Sequence, residues 1–358
     1  MVIAILSILL ICMAFSLIEE NMRWRDVLMV VGLIGISMVI IAGTRGADST
    51  PDSDNYEFMY YGVNSLDVDL REPTFIYISY YLNTLGFGVN ALFFAYAVLS
   101  IPLRLTAICK LSKLPILTLA IYISYFFQLH DLMQIRCAVA SALFLFAIYF
   151  RADKRWWLTL LFIILGSLFH YSALAGFALF FFSNTELKKW QRIALAVVVP
   201  IGMLFYFFGF DYSYLIPDEL GGDRLAVYRN LKDRGKEDDL SWTFYKNPVF
   251  LLNLALYYAC LLYYEVLAKS YKYLPIMLKN LAFAFICMFT LGTLSAVVAS
   301  RLYEYFAIST IFLWTAIAYA FRPVNYGKVL INCIILVQCL ANILVYTLGW
   351  YKNHMKWE

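Results

Sequence analysis

Arg45, Arg136 and Arg301 each stand at the border of a long apolar run. Each has polar company: Asp48 follows the first, Gln134 precedes the second and Glu304 follows the third. His170 and Ser172 interrupt another apolar stretch, and His130 lies four residues before Gln134. An ionisable side chain among hydrocarbon is costly unless it pairs or lines a wet cavity, so such residues mark candidate functional sites. Guanidinium forks suit the oxygens of a diphosphate. An imidazole near neutral pKa can take a proton from a hydroxyl. Together these residue types predict an anion-binding cavity. Arg301, Glu304 and Tyr305 would share a helix face, as would His130 and Gln134 if their segment is helical.

Other chemistries do not find their residues. Asp52-Ser53-Asp54 has a DxD form, but such triplets are common in acidic loops and predict no metal here. His170 and Ser172, two apart, do not share a helix face, and no GxSxG is present, which argues against a serine hydrolase. Three histidines, one of them His354 near the end of the chain, make a histidine-rich zinc site improbable. Gly221-Gly222-Asp223 is a turn and not a phosphate loop. The expectation is no metal and no cofactor.

The elements that position the candidates must be membrane helices. Of 358 residues, 63% are hydrophobic and 15% charged, against roughly 25% charged in an average globular chain. That composition excludes a soluble enzyme, a secreted disulfide scaffold and a disordered tail. A net charge of +4, with the two signs in different loops, excludes nucleic acid as a partner. The seven cysteines lie in apolar runs with no CxxC, and read as small buried side chains. The first run, 1–18, has no basic n-region or cleavage site and reads as a retained helix.

Good-length spans are 1–18, 27–43, 89–108, 191–209, 247–267, 277–297, 303–321 and 328–348. Lys and Arg cluster at Arg23/Arg25, Lys110/Lys113, Arg151/Lys154/Arg155, Lys188/Lys189/Arg192, Lys269/Lys272 and Arg322/Lys328, and should share the cytoplasmic side. Parity then makes 115–150 a hairpin with its tip at His130–Gln134, and 157–183 a hairpin with its tip near His170. It leaves 74–86 as an interfacial or re-entrant helix whose Phe75, Tyr77, Tyr80 and Tyr81 suit the headgroup zone. The count is about twelve spans in a single polytopic membrane domain, 1–358, with both termini outside.

The same parity puts two long polar loops outside, an acidic one at 44–73 and a mixed one at 210–245. The acidic loop carries Asp48, Asp52, Asp54, Glu57, Asp67, Asp69 and Glu72 against Arg45 and Arg71. Each also has a structural reading: Arg301 with Glu304 as a surface pair, Arg136 as a snorkelling helix-end residue and His170 as an interfacial imidazole. What argues for a site is that all of them, with Arg45 and Gln134, fall on one face beside the acidic loop.

In this order the segments resemble the EpsG-like, Wzy-type bacterial polysaccharide polymerases. The matching stretches are Gly43-Thr-Arg45 with Asp48; Asp52-Ser-Asp-Asn-Tyr56 with Tyr60; Arg71-Glu72-Pro73; Gln134-Ile-Arg136 and the small residues after it; His170-Tyr-Ser172-Ala173; and Arg301-Leu-Tyr-Glu304-Tyr-Phe306. Ser49-Thr-Pro51 lengthens the first stretch, so Asp48 and Asp52 both stay candidates for the family's aspartate.

The resemblance implies an all-α membrane glycosyltransferase of GT-C-like architecture with an outer-face cavity. It would elongate a surface polysaccharide (O-antigen, capsule or exopolysaccharide) at the outer face of the bacterial inner membrane. Donor and acceptor would be undecaprenyl-diphosphate-linked oligosaccharides, with a flippase and a chain-length regulator as partners and no nucleotide sugar. In that reading Arg136, Arg45 and Arg301 clamp the diphosphate. His170 accepts the proton, with Glu72 as rival, and Asp48, Asp52 or Tyr56 bind sugar hydroxyls. Gln134 and Glu304 complete the candidate binding set. An O-antigen ligase-like transferase and a lipid-linked oligosaccharide flippase are the alternatives. A flippase predicts polar residues through the midplane, whereas Asn253, Glu265 and Asn280 are isolated.

Overall fold

In hydrocarbon every backbone donor and acceptor must be satisfied within the chain, so the apolar runs fold as helices. The computed structural model describes residues 1–46, 49–50, 52–63, 72–209, 247–292 and 295–354, and no strand occurs among them. Asp48, Arg71 and the 210–245 loop lie outside the described residues. Among the described residues, seven helices are long and apolar enough to cross a membrane, or up to ten segments if each of three bent pairs is one span.

The helices are α1 (Val2–Ile18), α2 (Trp24–Gly43), α3 (Ser53–Tyr61), α4 (Pro73–Thr84), α5 (Val89–Leu111), α6 (Pro115–Ser124), α7 (Ile135–Ala152) and α8 (Trp156–Phe169). Then follow α9 (Lys189–Phe207), α10 (Pro248–Leu262), α11 (Tyr264–Ser270), α12 (Leu274–Leu291), α13 (Ala296–Ala307), α14 (Thr310–Ile317) and α15 (Val324–His354). A π-helical turn, Phe127–Met133, joins α6 to α7, and a 3-10 helix, Tyr171–Phe181, follows α8.

Several expected boundaries are corrected. The acidic loop contains a helix, α3. The run at 247–267 is broken at Tyr263, where α10 and α11 bend by 86°. The run at 303–321 straddles the bend of a broken pair, 298–307 with 310–320 at 44°, and Arg301 lies inside the first of its helices, α13. His130, expected at an outer tip, is fully buried, and Gln134 falls just past the π turn. Cys333 is exposed, unlike most of the cysteines.

Contacts divide the chain into two compact units, 1–180 with 314–358, and 181–313. In the first, α6 is apolar all round, and all of its residues are buried. A helix of that kind belongs in a core. It is walled by α1, α2, α5 and α15, while α7 packs on α5 and α8. Pro115 opens α6, and its free N–H groups are met by Glu19 at the end of α1: Ile116 N donates to Oε2 at 2.9 Å and Leu117 N to Oε1 at 3.4 Å. Lys328, fully buried, pairs with Glu20 at 2.9 Å at this same end.

The α8 hairpin resolves a length problem. An α-helix of 14 residues and a 3-10 helix of 11 both extend about 21 Å, because the 3-10 form rises about 2.0 Å per residue against 1.5 Å. Ala173, Gly176 and Leu179, three apart as a 3-10 helix requires, are its buried residues. Arg151, near the end of α7, donates to Leu179 O at 2.9 Å and to Phe180 O at 3.1 Å, so the chain returns to the level it left. His170 sits at the break between the two arms.

The second unit is built around α12, with α9 and α13 as its main neighbours. Phe250, Phe285, Phe289 and Tyr303 form its aromatic core, and Asn253 donates to the Tyr303 hydroxyl at 3.0 Å.

Candidate functional site

The site end of the first unit is made where helices stop. Only glycine fits at position 43: a Cβ there would lie 2.4 Å from Phe94 Cδ2 and 3.0 Å from Phe94 Cα. With α2 seated on α5 in this way, the Arg45 guanidinium lies 3.9 Å over the ring of Phe93. Its Nη1 donates to Ala42 O at 2.6 Å and reaches Asp131 O at 3.5 Å, while Nε and Nη2 meet no acceptor among the described residues. Burial pulls the Arg45 pKa down to about 10, which leaves the group charged at neutral pH.

Thr50 holds the next carbonyl, donating to Leu132 O at 3.2 Å. Arg45 and Thr50 therefore cap consecutive carbonyls at the end of the π turn, where backbone acceptors are free. The turn owes its form to a break at Tyr125. The freed Ser124 carbonyl is taken by Gln128 at 3.1 Å and Asn342 at 3.2 Å.

Arg136, in the first turn of α7, forms a short ion pair with Glu72, the residue before α4. Glu72 is buried, and the Arg136 side chain keeps 19% of its surface exposed. The guanidinium lies 5.3 Å from the Phe75 ring and 5.5 Å from that of Tyr56, with which it also hydrogen-bonds. Tyr56 is a neighbour of Arg45 as well. Tyr96, buried on α5, is a further neighbour of Arg136, Tyr56 and Glu72, and its ring meets Phe169 edge-on at 6.2 Å.

His170 is half-buried, and its Nδ1 accepts the backbone N–H of Ser172 at 3.2 Å. An accepting Nδ1 is unprotonated, so the neutral ring carries its proton on Nε2. The tip is tied to the rest by Thr74, whose hydroxyl donates to Leu168 O.

Of the residues expected from the sequence, the structure thus brings together Arg45, Tyr56, Glu72, Gln134 and Arg136 at one end of the first unit. His170 joins them through the Thr74 link. Asp52 immediately precedes α3, one helical turn before Tyr56. Arg301, exposed, and Glu304, half-buried, are one turn apart on α13 of the second unit. Asp48 lies outside the described residues.

Sequence reasoning missed Arg104. It sits inside α5, fully buried, and donates through Nη2 to Ala138 O and to Ser141 Oγ, both at 2.8 Å. Its position six residues before Lys110 disguises it as part of a basic helix end, yet a charge inside a span is itself a signal. The arrangement offers a partly exposed guanidinium beside a carboxylate, phenols and a second fixed cation. Such a set can hold an anion and move a proton at one place.

No curated protein and no solved structure matches the chain. Comparison with protein families matches residues 28–355 to the EpsG family.

Proposed function

The chain belongs to the EpsG family and is a multi-pass membrane protein of the polysaccharide-polymerase type. On that premise we propose that it is a glycosyltransferase joining undecaprenyl-diphosphate-linked oligosaccharides into a surface polysaccharide at the outer face of the bacterial inner membrane. The observation that carries this reading is the Arg136–Glu72 pair, an anion-binding fork and a carboxylate in contact beneath aromatic rings.

In the proposed step a sugar hydroxyl of one lipid-linked repeat attacks the anomeric carbon of the other. A new glycosidic C–O bond forms, and the C–O bond to the lipid diphosphate breaks. Arg136 stabilises the departing diphosphate by charge-assisted hydrogen bonds that strengthen as charge develops. Arg45, with two donors that meet no acceptor among the described residues, supplies a second positive field. Glu72 takes the hydroxyl proton. The diphosphate draws Arg136 away from it, so the carboxylate is freed to accept a hydrogen bond from the attacking hydroxyl when the donor binds.

We assign His170 the part of a donor through Nε2–H, because its Nδ1 is already an acceptor. Asp48, Asp52, Tyr56, Gln134 and Glu304 would bind sugar hydroxyls. The seven long helices, the three bent pairs and the two arms of the α8 hairpin would make about twelve crossings in a GT-C-like arrangement. Four basic clusters of the first unit lie at the end opposite the site, which supports an outward-facing site by the positive-inside rule.

The test is incubation of the purified chain in nanodiscs with lipid-linked repeats. A ladder of products supports the polymerase. A single transfer onto another lipid would instead identify a ligase, and lipid movement without a new covalent bond would identify a flippase.

A further inference from the structure

Beneath the site lies a polar core that the proposed chemistry does not use. Asp131, almost fully buried, accepts hydroxyls on both carboxylate oxygens: Ser100 at 2.5 Å on Oδ1, and Tyr122 on Oδ2 in a short hydrogen bond. Arg104 stands over the other side of the same tyrosine, its guanidinium carbon 5.0 Å from the Tyr122 ring centre. Arg104 also grips Ala138 O and Ser141 Oγ of α7, and Ser141 in turn meets His130 Nδ1 at 3.2 Å. Ser100, Arg104, Tyr122, His130 and Ser141 are all buried.

One carboxylate and one guanidinium are thus held apart by a tyrosine that serves both, with its face toward the cation and its hydroxyl on the anion. Two charges inside a helix bundle are tolerated only when compensated in this way. The placement is specific. Asp131 belongs to the π turn, its backbone carbonyl is the one reached by Arg45, and Arg136 lies five residues on in the sequence. Arg104 holds the carbonyl of Ala138, two residues after Arg136. The core therefore grips the Gln134–Arg136 segment from both sides.

We infer that Asp131 is a positioning residue. With Tyr122 and Arg104 it sets the turn that aims Gln134 and Arg136, and it does not touch substrate. This rests on the reading of Arg136 as the diphosphate clamp. An alternative role as mere charge balance for Arg104 is separable, because removing both charges restores balance without restoring the grip on the turn.

The experiment uses the full chain in nanodiscs with two readouts and three variants: Asp131→Asn, the double variant Arg104→Met with Asp131→Asn, and Arg136→Ala. The first readout needs no substrate. Gln134→Cys is introduced, and its labelling by a membrane-impermeant maleimide is measured above the background of the native cysteines. A change of at least about fivefold is expected in Asp131→Asn, persisting in the double variant although its thermal stability recovers. The second readout is binding of undecaprenyl diphosphate, expected to weaken about tenfold or more in all three variants.

Unchanged labelling in Asp131→Asn, or recovery of both labelling and binding together with stability in the double variant, overturns the inference. If Asp131→Asn does not fold, the double variant decides alone. Binding that is equal in the parent and in Arg136→Ala, with labelling altered as expected, instead overturns the diphosphate reading and leaves the positioning role standing.

Discussion

Thr74 donates its hydroxyl to the carbonyl oxygen of Leu168 at 2.7 Å, which fastens the residue two after Glu72 to the residue two before His170. Glu72 and His170 sit on different elements, so this bond fixes their separation. Thr74→Val keeps the shape and removes the bond. A stability loss of about 1 kcal/mol is expected, with a larger fall in kcat than rise in KM. Thr74→Ser should recover most of both. An unaltered kcat in the valine variant would show that the link does not matter to the chemistry.

Arg136→Lys should be nearly as inactive as Arg136→Ala, because a lysine cannot hold Glu72 and diphosphate oxygens in one planar fork. A loss of about 100-fold or more in kcat is expected for both. Polymer length on a gel is the readout, and full-length polymer from the alanine variant would remove Arg136 from the site.

The Glu72–Arg136 pair also predicts a pattern in stability. Glu72→Ala leaves a largely buried guanidinium without its anion and should cost about 2–3 kcal/mol, reduced from the fully buried case by Arg136's exposure. Glu72→Ala with Arg136→Ala should cost less than the sum of the single variants, since neither charge is then stranded. Glu72→Gln keeps a hydrogen bond to Arg136 but neither the charge nor a base, so it should melt below the parent but above Glu72→Ala and make no polymer.

His170 separates donor from base. Glutamine can still present an N–H toward the place of Nε2, whereas alanine cannot. His170→Gln is expected to keep about a tenth or more of the parent rate, and His170→Ala to lose about 100-fold. Equal loss in both variants would return the proton-accepting role to His170.

Gly43→Ala should loosen the whole site from a distance. The new Cβ would meet the Phe94 backbone as well as its ring, so α2 and α5 must separate and Arg45 shifts off Phe93. A cost of about 1–3 kcal/mol is expected, measured as a lowered melting temperature together with reduced activity. Gly32, with nothing near its Cβ position, is the control and should tolerate alanine.

Much of the fold was legible in the sequence because the bilayer demands it. Length and hydropathy set the long helices, as at 27–43 and 89–108 against the observed Trp24–Gly43 and Val89–Leu111. Breaks were harder. Nothing in 247–267 announces the bend at Tyr263, and nothing in 115–150 announces a π turn, since both depend on side chains elsewhere that take up the freed carbonyls. Asn342 on Ser124 O is one such, 218 residues away.

The candidate site divides in the same manner. By itself the sequence determined which residues are too polar for their surroundings: Arg45, Arg136 and His170 stand out wherever the chain folds, because charge in hydrocarbon is costly in any arrangement. Only the tertiary structure decided what each one meets. Glu72 is one carboxylate among several in an acidic loop until α4 carries it to Arg136. Arg104 looks like the basic end of a helix until α7 closes over it. Pairing is a property of three-dimensional approach between segments far apart in the chain, and the local pattern of residues carries no record of it.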